Sequence, residues 1–434
     1  MRNTALLLLL LSPTAWAEDA ITLVEKSPVG SEFRVVSEFS FKGELLTPIA
    51  KDKPAQRVKT AGRSSIDYVE LVLSVDPKDA EFKALRIYEK IDFRKTTEDR
   101  TDEITLRPAV RRLVVMKKGH AKVPFSPDGP LMWGEIDMLR TDFVVPALAG
   151  LLPTKEVKPG DTWMASAAAV AELTDFEKVE EGRLECTLDR VLVNGPRRLA
   201  EIAFAGTLRG VNEDGPARQL IRGKLLFDLT AQCISYLKID GEHILLDDKG
   251  NPGGKVVGTF QMTRSPAAGN KELAAAIKSL DLTPSDANTR LLYDGEDTGV
   301  RFVYPRHWRV VRTTGRQITL DETTGTGLLI TLDAPKDVPP TNAFLRQTLE
   351  EMKERGAKLT GRTGPDVIAE GIDRFTLDAE TTKDRYTMDY VVIRQEKGGA
   401  TLAARIPVAD RAVRMREVEG IARSFSVTRR LDGK

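Results

Sequence analysis

Residues 202–229, IAFAGTLRGVNEDGPARQLIRGKLLFDL, carry the pattern that sets the fold. Ile202-x-Phe204 and Leu225-x-Phe227-x-Leu229 place apolar side chains at every second position, the period of a strand with one buried face. Between them, Glu213-Asp214-Gly215-Pro216 is a turn. Repeated, such hairpins make an antiparallel meander with one face buried and one wet. The same rhythm runs from residue 21 to about residue 263, through Phe33-x-Val35, Ile66-x-Tyr68 and Val69-x-Leu71. Asn194-Gly195-Pro196 and Asp248-Lys249-Gly250-Asn251-Pro252 supply further turns. One stretch breaks the rhythm. Residues 134–150 carry Ile136, Leu139, Phe143, Val144, Ala147 and Leu148 at near-helical spacing, which predicts one helix laid on the sheet, kinked or ended early by Pro146.

The chain has 434 residues, enough for two or three domains. A β-rich antiparallel domain is expected over residues 18–264. Ser265-Pro266-Ala267-Ala268-Gly269 opens a linker over 265–289, with a short helix at 271–280 and Thr283-Pro284-Ser285 at its close. Over 290–430 the pattern becomes strands, helix, strands, helix. Ile318-x-Leu320 and Leu328-x-Ile330-x-Leu332 flank the turn Thr324-Gly325-Thr326-Gly327. Thr341 is placed to cap a helix with Leu345, Leu349 and Met352 on one face, stopped by Gly356. Phe375-x-Leu377-x-Ala379, Tyr386-x-Met388-x-Tyr390-x-Val392 and Leu402-x-Ala404-x-Ile406 follow, and Asp410 is placed to cap a last helix burying Met415, Val418, Ile421, Ala422 and Phe425. The fold class expected is α+β.

Two segments resemble known families. Phe302-Val303-Tyr304-Pro305-x-x-Trp308, the strand ladder after it and the ending Ile421-Ala422-x-Ser424-Phe425 resemble the PsbP-like superfamily over the last third of the chain. That resemblance implies a small α/β/α sandwich used as a protein-interaction module, and it brings no functional residue with it. The quoted positions read as core and turn. Residues 151–163, LLPTKEVKPGDTW, are similar to a phrase in uncharacterised families of exported bacterial β-rich proteins. There Pro159-Gly160-Asp161 is a turn and Trp163 is placed to plug the sheet beyond it. The sheet-plus-helix pattern is also loosely like the half-barrel of lipoprotein carriers.

The first seventeen residues read as a secretory leader: basic Met1-Arg2-Asn3, an apolar run over 5–11, and Ala15-Trp16-Ala17 before Glu18-Asp19. Cleavage is expected after Ala17, giving a periplasmic or extracellular protein. Position 18 is not a cysteine, so lipidation is not expected, and no later run has the length of a membrane-spanning helix. Lys+Arg number 65 against 64 Asp+Glu, and loss of Arg2 with the leader leaves an even balance. Such a chain has no global field to hold nucleic acid, and the basic residues Arg111, Arg112, Lys117 and Lys118 flank an apolar strand. Cys186 and Cys233 are candidates for a disulfide in an oxidising compartment if their strands are neighbours; otherwise they are buried free thiols.

Chemistry is sparse. His120, His243 and His307 fit no zinc-hydrolase spacing, and two lone cysteines make no Cys-x-x-Cys motif. No Gly-x-Ser-x-Gly elbow occurs. Gly250-Asn251-Pro252-Gly253-Gly254-Lys255 has the wrong glycine spacing for a phosphate loop, and Val256 stands where Ser or Thr would hold magnesium. Asp247-Asp248 and Asp294-Gly295-Glu296-Asp297 lack the order of a calcium loop and read as solvated turns. No catalytic, cofactor-binding or metal-ligating residue is assigned. The expectation is a non-enzymatic binding or accessory protein of the cell envelope, its partner an envelope protein or an apolar ligand. The second reading is a periplasmic carrier of an apolar ligand held between a curved sheet and the 134–148 helix, which requires a cavity of at least a few hundred cubic ångströms beneath that helix. A third is a hydrolase whose residues converge only in space.

Overall fold

The computed structural model describes residues 20–47, 56–76, 81–119, 121–139, 142–247, 249–381 and 384–432. The leader, His120 and Asp248 lie outside these. The first strands are β1 Glu32–Thr47, β2 Gln56–Asp76, β3 Glu81–Thr97, β4 Arg100–Thr105, β5 Arg112–Lys118 and β6 Ala121–Phe125. A mixed stretch follows: β7 Leu131–Met132, α1 Trp133–Met138, α2 Val145–Leu148, β8 Thr162–Met164 and α3 Ala167–Thr174. Five long strands come next, β9 Lys178–Asn194, β10 Arg197–Asn212, β11 Gly215–Asp228, β12 Cys233–Leu246 and β13 Pro252–Ala267. The remainder is α4 Lys271–Ser279, β14 Leu291–Gly295, β15 Val300–Tyr304, β16 Trp308–Thr313, β17 Gln317–Glu322, β18 Gly327–Asp333, α5 Thr341–Glu354, β19 Lys358–Ala369, β20 Ile372–Glu380, β21 Arg385–Gln395, β22 Gly398–Pro407, α6 Arg411–Ser424 and β23 Ser426–Val427. The protein is β-rich and of mixed α+β class.

Twelve strands among the described residues form one sheet in the order β6-β5-β3-β2-β1-β13-β12-β11-β10-β9-β8, with β4 beside β3. Its two meanders meet where β1 pairs β13 antiparallel. Alternation is strict on β11, where Ala217, Gln219 and Ile221 are buried and Arg218, Leu220 and Arg222 are exposed. One hydrophobic core draws on Tyr88 and Leu113 near one edge and on Leu184, Cys186 and Ile202 near the other. A flat sheet of this width would hold those strands tens of ångströms apart, so the sheet is curled around the segment that carries α1, α2 and α3.

The covering segment differs from the single kinked helix expected over 134–150. It forms two short helices, α1 and α2, and Pro146 sits in the first turn of α2, where its missing N–H leaves no hydrogen bond unmade. A third helix, α3, is capped by the Ser166 side chain, which accepts from Ala169 N. The stretch read as a linker holds α4, capped by Asn270, with Leu273 and Ala276 packed on Leu85, Ile87 and Val114 of the sheet.

In the last third, β16-β17-β18-β22-β21-β20-β19 form a seven-stranded sheet. Leu402, Ala404 and Ile406 of β22 join Val418, Ile421 and Ala422 of α6 in one core. Phe375, Leu377 and Tyr390, with Ala403, pack against Leu345 and Met352 of α5 in another. One helix on each face is an α/β/α sandwich. Neither expected cap makes a side-chain cap bond: Thr341 is the first residue of α5 and its hydroxyl donates to Asp373, while Asp410 precedes α6 without accepting from it. The smaller sheet, β23-β15-β14-β7, draws β7 from far upstream, with Leu131 and Met132 parallel to Leu291 and Leu292.

Candidate functional site

Beneath α1, the inner face of the sheet has a row rich in glycine. The registers line up Gly62 of β2, Phe41 of β1, Gly258 of β13, Gly241 of β12, Ile221 of β11 and Gly206 of β10 in a single row across the strands. A Cβ on Gly206 would run into the Arg183 carbonyl, so this glycine permits the close strand approach that tight coiling needs. Gly241 differs: a Cβ there would meet only the Leu220 carbonyl at 3.6 Å and would otherwise point into open space. The rows on either side carry Phe39, Phe260 and Ile239, and Val256, His243 and Gln219.

The result is a cavity of about 550 Å³. Its floor is Phe41, Gly258, Gly241 and Ile221, its roof is Trp133, Ile136, Leu139 and Phe143, and the α3 end adds Leu173 and Phe176. Most interior voids in proteins hold a water or less, whereas ligand sites of small molecules run to roughly 300–1,000 Å³. A second hollow of about 900 Å³ lies on the outer face over Ser40, Lys42, Arg222 and Thr259, on the side of the sheet away from α1.

The roof is fastened by buried ion pairs. Glu135 of α1, fully buried, accepts from Met132 N at 2.7 Å and from Arg107 Nε and Nη2 at 2.7 and 2.8 Å. Asp142 accepts from Arg86 at 2.6 Å, Tyr88 at 2.8 Å and Tyr68 at 3.1 Å, and Arg86 also donates to Glu70 at 2.7 Å. Burial alone would lower the Arg86 pKa, but Asp142, Tyr68 and Glu70 hold it well above its ordinary value. Burial likewise pushes both tyrosines well up, which keeps them protonated donors. A tyrosine–carboxylate cluster resembles an acid–base site. All five side chains are at most 3% exposed, however, so this cluster anchors the roof rather than meeting a substrate. Glu172 of α3 adds a further tie, accepting from Val144 N at 2.6 Å while paired with Lys117.

The sandwich supplies part of the wall. Arg306, in the turn before β16, donates to the Pro124 carbonyl of β6 and to the Thr289 carbonyl at 3.2 Å. Arg309 lies 3.7 Å from the centroid of the Trp133 ring and pairs with Glu213 at 3.4 Å. Burial lowers the pKa of His243, which also lines the cavity, so its ring is neutral at pH 7.

No family model matches the chain, and no curated protein matches it. Among solved structures, the solution structure of cyanobacterial PsbP (CyanoP) from Synechocystis sp. PCC 6803 is similar over 32% of this chain and 92% of its own, with 14% identity and a TM-score of 0.25. A structure of lipovitellin is similar over 56% of this chain and 26% of its own, with 9% identity and a TM-score of 0.30. MucB in complex with MucA(peri) is similar over 91% and 93%, with 10% identity and a TM-score of 0.15.

The residues singled out from sequence scatter. His307 lies outside the cavity, beside Glu417 and Arg414. Asp247 closes its own turn by accepting from Lys249 N and Asn251 N, and Asp294 pairs with Arg301. Pro159-Gly160-Asp161 is a turn, and Trp163 donates to the Leu151 carbonyl at 2.9 Å. The segment expected as one helix over 134–150, which folds as α1 and α2, is the roof. Arg306, Lys122 and the glycine row were not singled out.

The disulfide between Cys186 and Cys233 does not form in this fold, because their strands are not neighbours. β10 and β11 lie between β9 and β12, and the β12 residue in the row of Cys186 is Ile239. Six residues of strand then separate Cys233 from that row, or roughly 20 Å, far beyond the Cα separation of about 4.4–6.8 Å that a bridge spans. Both thiols are free and buried, and burial raises their pKa to about 12 and about 11. Native protein at pH 8 is therefore expected to resist iodoacetamide, and denatured protein to take up two labels per chain without reductant. Fewer than two labels by mass spectrometry would restore the bridge.

Proposed function

We propose that this protein is exported by its N-terminal leader and acts as a non-enzymatic carrier that holds an apolar ligand beneath α1. The observation that carries this reading is the cavity of about 550 Å³ over Gly241 and Gly258. Deleting side chains from a core normally costs stability in proportion to the void left. A void this large, floored by glycine where at least one position has room for a side chain, is selected for something other than packing. The apolar floor and roof suit a hydrocarbon or ring system, and the fastened roof holds them apart. The sandwich, which reads as a PsbP-like module, has Arg306 and Arg309 at the wall and so is placed to report or control occupancy.

The test is binding of Nile red, a neutral apolar dye, to wild type and to Gly241→Phe. Wild type is expected to bind saturably, with one dye per chain. Gly241→Phe fills the floor, raises strand propensity, and is expected to fold normally yet bind at least tenfold more weakly. Equal binding by the two proteins would refute the reading. Native mass spectrometry of protein from its own host should show a co-purifying lipophile, lost in Gly241→Phe.

A further inference from the structure

The cavity is apolar along its floor, but its cationic groups are not equivalent. Lys117 pairs with Glu172, and Arg309 with Glu213. Lys122 donates to the Leu139 and Asp142 carbonyls, within the field of Asp142 itself. Arg306 stands apart. Its Nε and Nη2 donate to two backbone carbonyls, it makes no ion pair among the described residues, and its Nη1 donates to no described residue. The carboxylates that also line the cavity do not answer it: Glu242 pairs with Lys255, while Asp175 and Glu177 lie on the exposed rim by α3. Burial lowers the Arg306 pKa to about 10, with Arg309 adding to the effect, so its charge is desolvated but still present at neutral pH. A planar fork held by backbone carbonyls, with donors to spare, fits a carboxylate or phosphate in two-point contact.

We propose that the occupant is an amphiphile with an anionic head, its acid group held by Arg306 and its chain laid over Gly241 and Gly258. This rests on the reading that the cavity holds an apolar ligand. Arg306 supplies what that reading leaves open, the polarity and orientation of the guest. A neutral guest would leave the desolvated guanidinium without a counter-charge, and a cationic one would face direct repulsion.

The experiment is displacement of Nile red by four twelve-carbon chains below their micelle concentrations: dodecanoate, dodecyl phosphate, dodecanol and dodecyltrimethylammonium. Both anions are expected to displace the dye at roughly tenfold lower concentration than dodecanol, the gain of a charge-assisted contact, with the ammonium weakest. Comparing dodecanoate with dodecyl phosphate tells which acid the fork prefers. In Arg306→Met the anion advantage should vanish while Nile red still binds, and Arg306→Lys should keep most of it. If Arg306→Met fails to fold, the wild-type ranking with Arg306→Lys decides. Anions no better than dodecanol on wild type, or an advantage intact in Arg306→Met, would overturn the headgroup assignment alone. Failure of Nile red to bind wild type at all would overturn the carrier reading and this one together.

Discussion

Arg86→Leu is expected to lose about 3–5 kcal/mol of stability, because it leaves two buried carboxylates without their shared cation. Glu70 and Asp142 are 1% and 2% exposed, and Arg86 bridges them at 2.7 and 2.6 Å. No solvent reaches the cluster to replace the guanidinium. Removing the charge imbalance as well, in Arg86→Leu with Glu70→Gln and Asp142→Asn, is expected to recover part of the loss. Urea unfolding followed by circular dichroism measures both. A loss under about 1 kcal/mol in the single variant would mean that the pair is not desolvated as described. The same substitution frees the roof segment, since Asp142 is its anchor, so Nile red affinity should fall alongside stability.

Trp308→Ala is expected to cost a further-separated part of the molecule about as much, roughly 3–5 kcal/mol, through the void left by a fully buried indole. Its Nε1 donates to Glu417 at 2.9 Å. Burial alone would raise the Glu417 pKa, but the Trp308 bond and Arg414 bring it below the usual carboxylate value. A carboxylate lowered in the folded state stabilises above its unfolded pKa, and that contribution disappears as pH falls through the folded value. Trp308→Phe keeps much of the ring volume but removes the bond. Its deficit against wild type should therefore be larger at pH 7 than at pH 3. A deficit independent of pH would show that the bond to Glu417 contributes nothing.

Strand content was readable because alternation is local: Leu225-x-Phe227 and Ile202-x-Phe204 lie on β11 and β10 as their period requires. Turn chemistry was local too, and Glu213 and Asp214 fall at a hairpin tip. The cavity was not readable. Gly206, Gly241 and Gly258 fall within strands, but their alignment in one row depends on registers that bulges between Leu226 and Phe227 and between Leu245 and Leu246 help to set. Arg306 left no mark in the sequence because its partner Pro124 is 182 positions away. The Arg86 cluster did leave a trace. Glu70 follows Tyr68 at the inward period, and a charge at an inward position of an apolar run asks for a buried partner.

The two residues of β7 come immediately before α1, and they pair with β14 rather than with any strand of the large sheet. During synthesis, chains generally fold from the N-terminal end as segments emerge. Here the mooring point of the roof has no partner until residues 291–292 have been made. The container is thus laid down early, as are the ion pairs that anchor its roof, which are made by residues up to 172, and the β7 tether is added only when β14 arrives. A chain cut after α4 would retain every strand of the large sheet and leave that tether loose, so filling and emptying need not require the sheet to open at all.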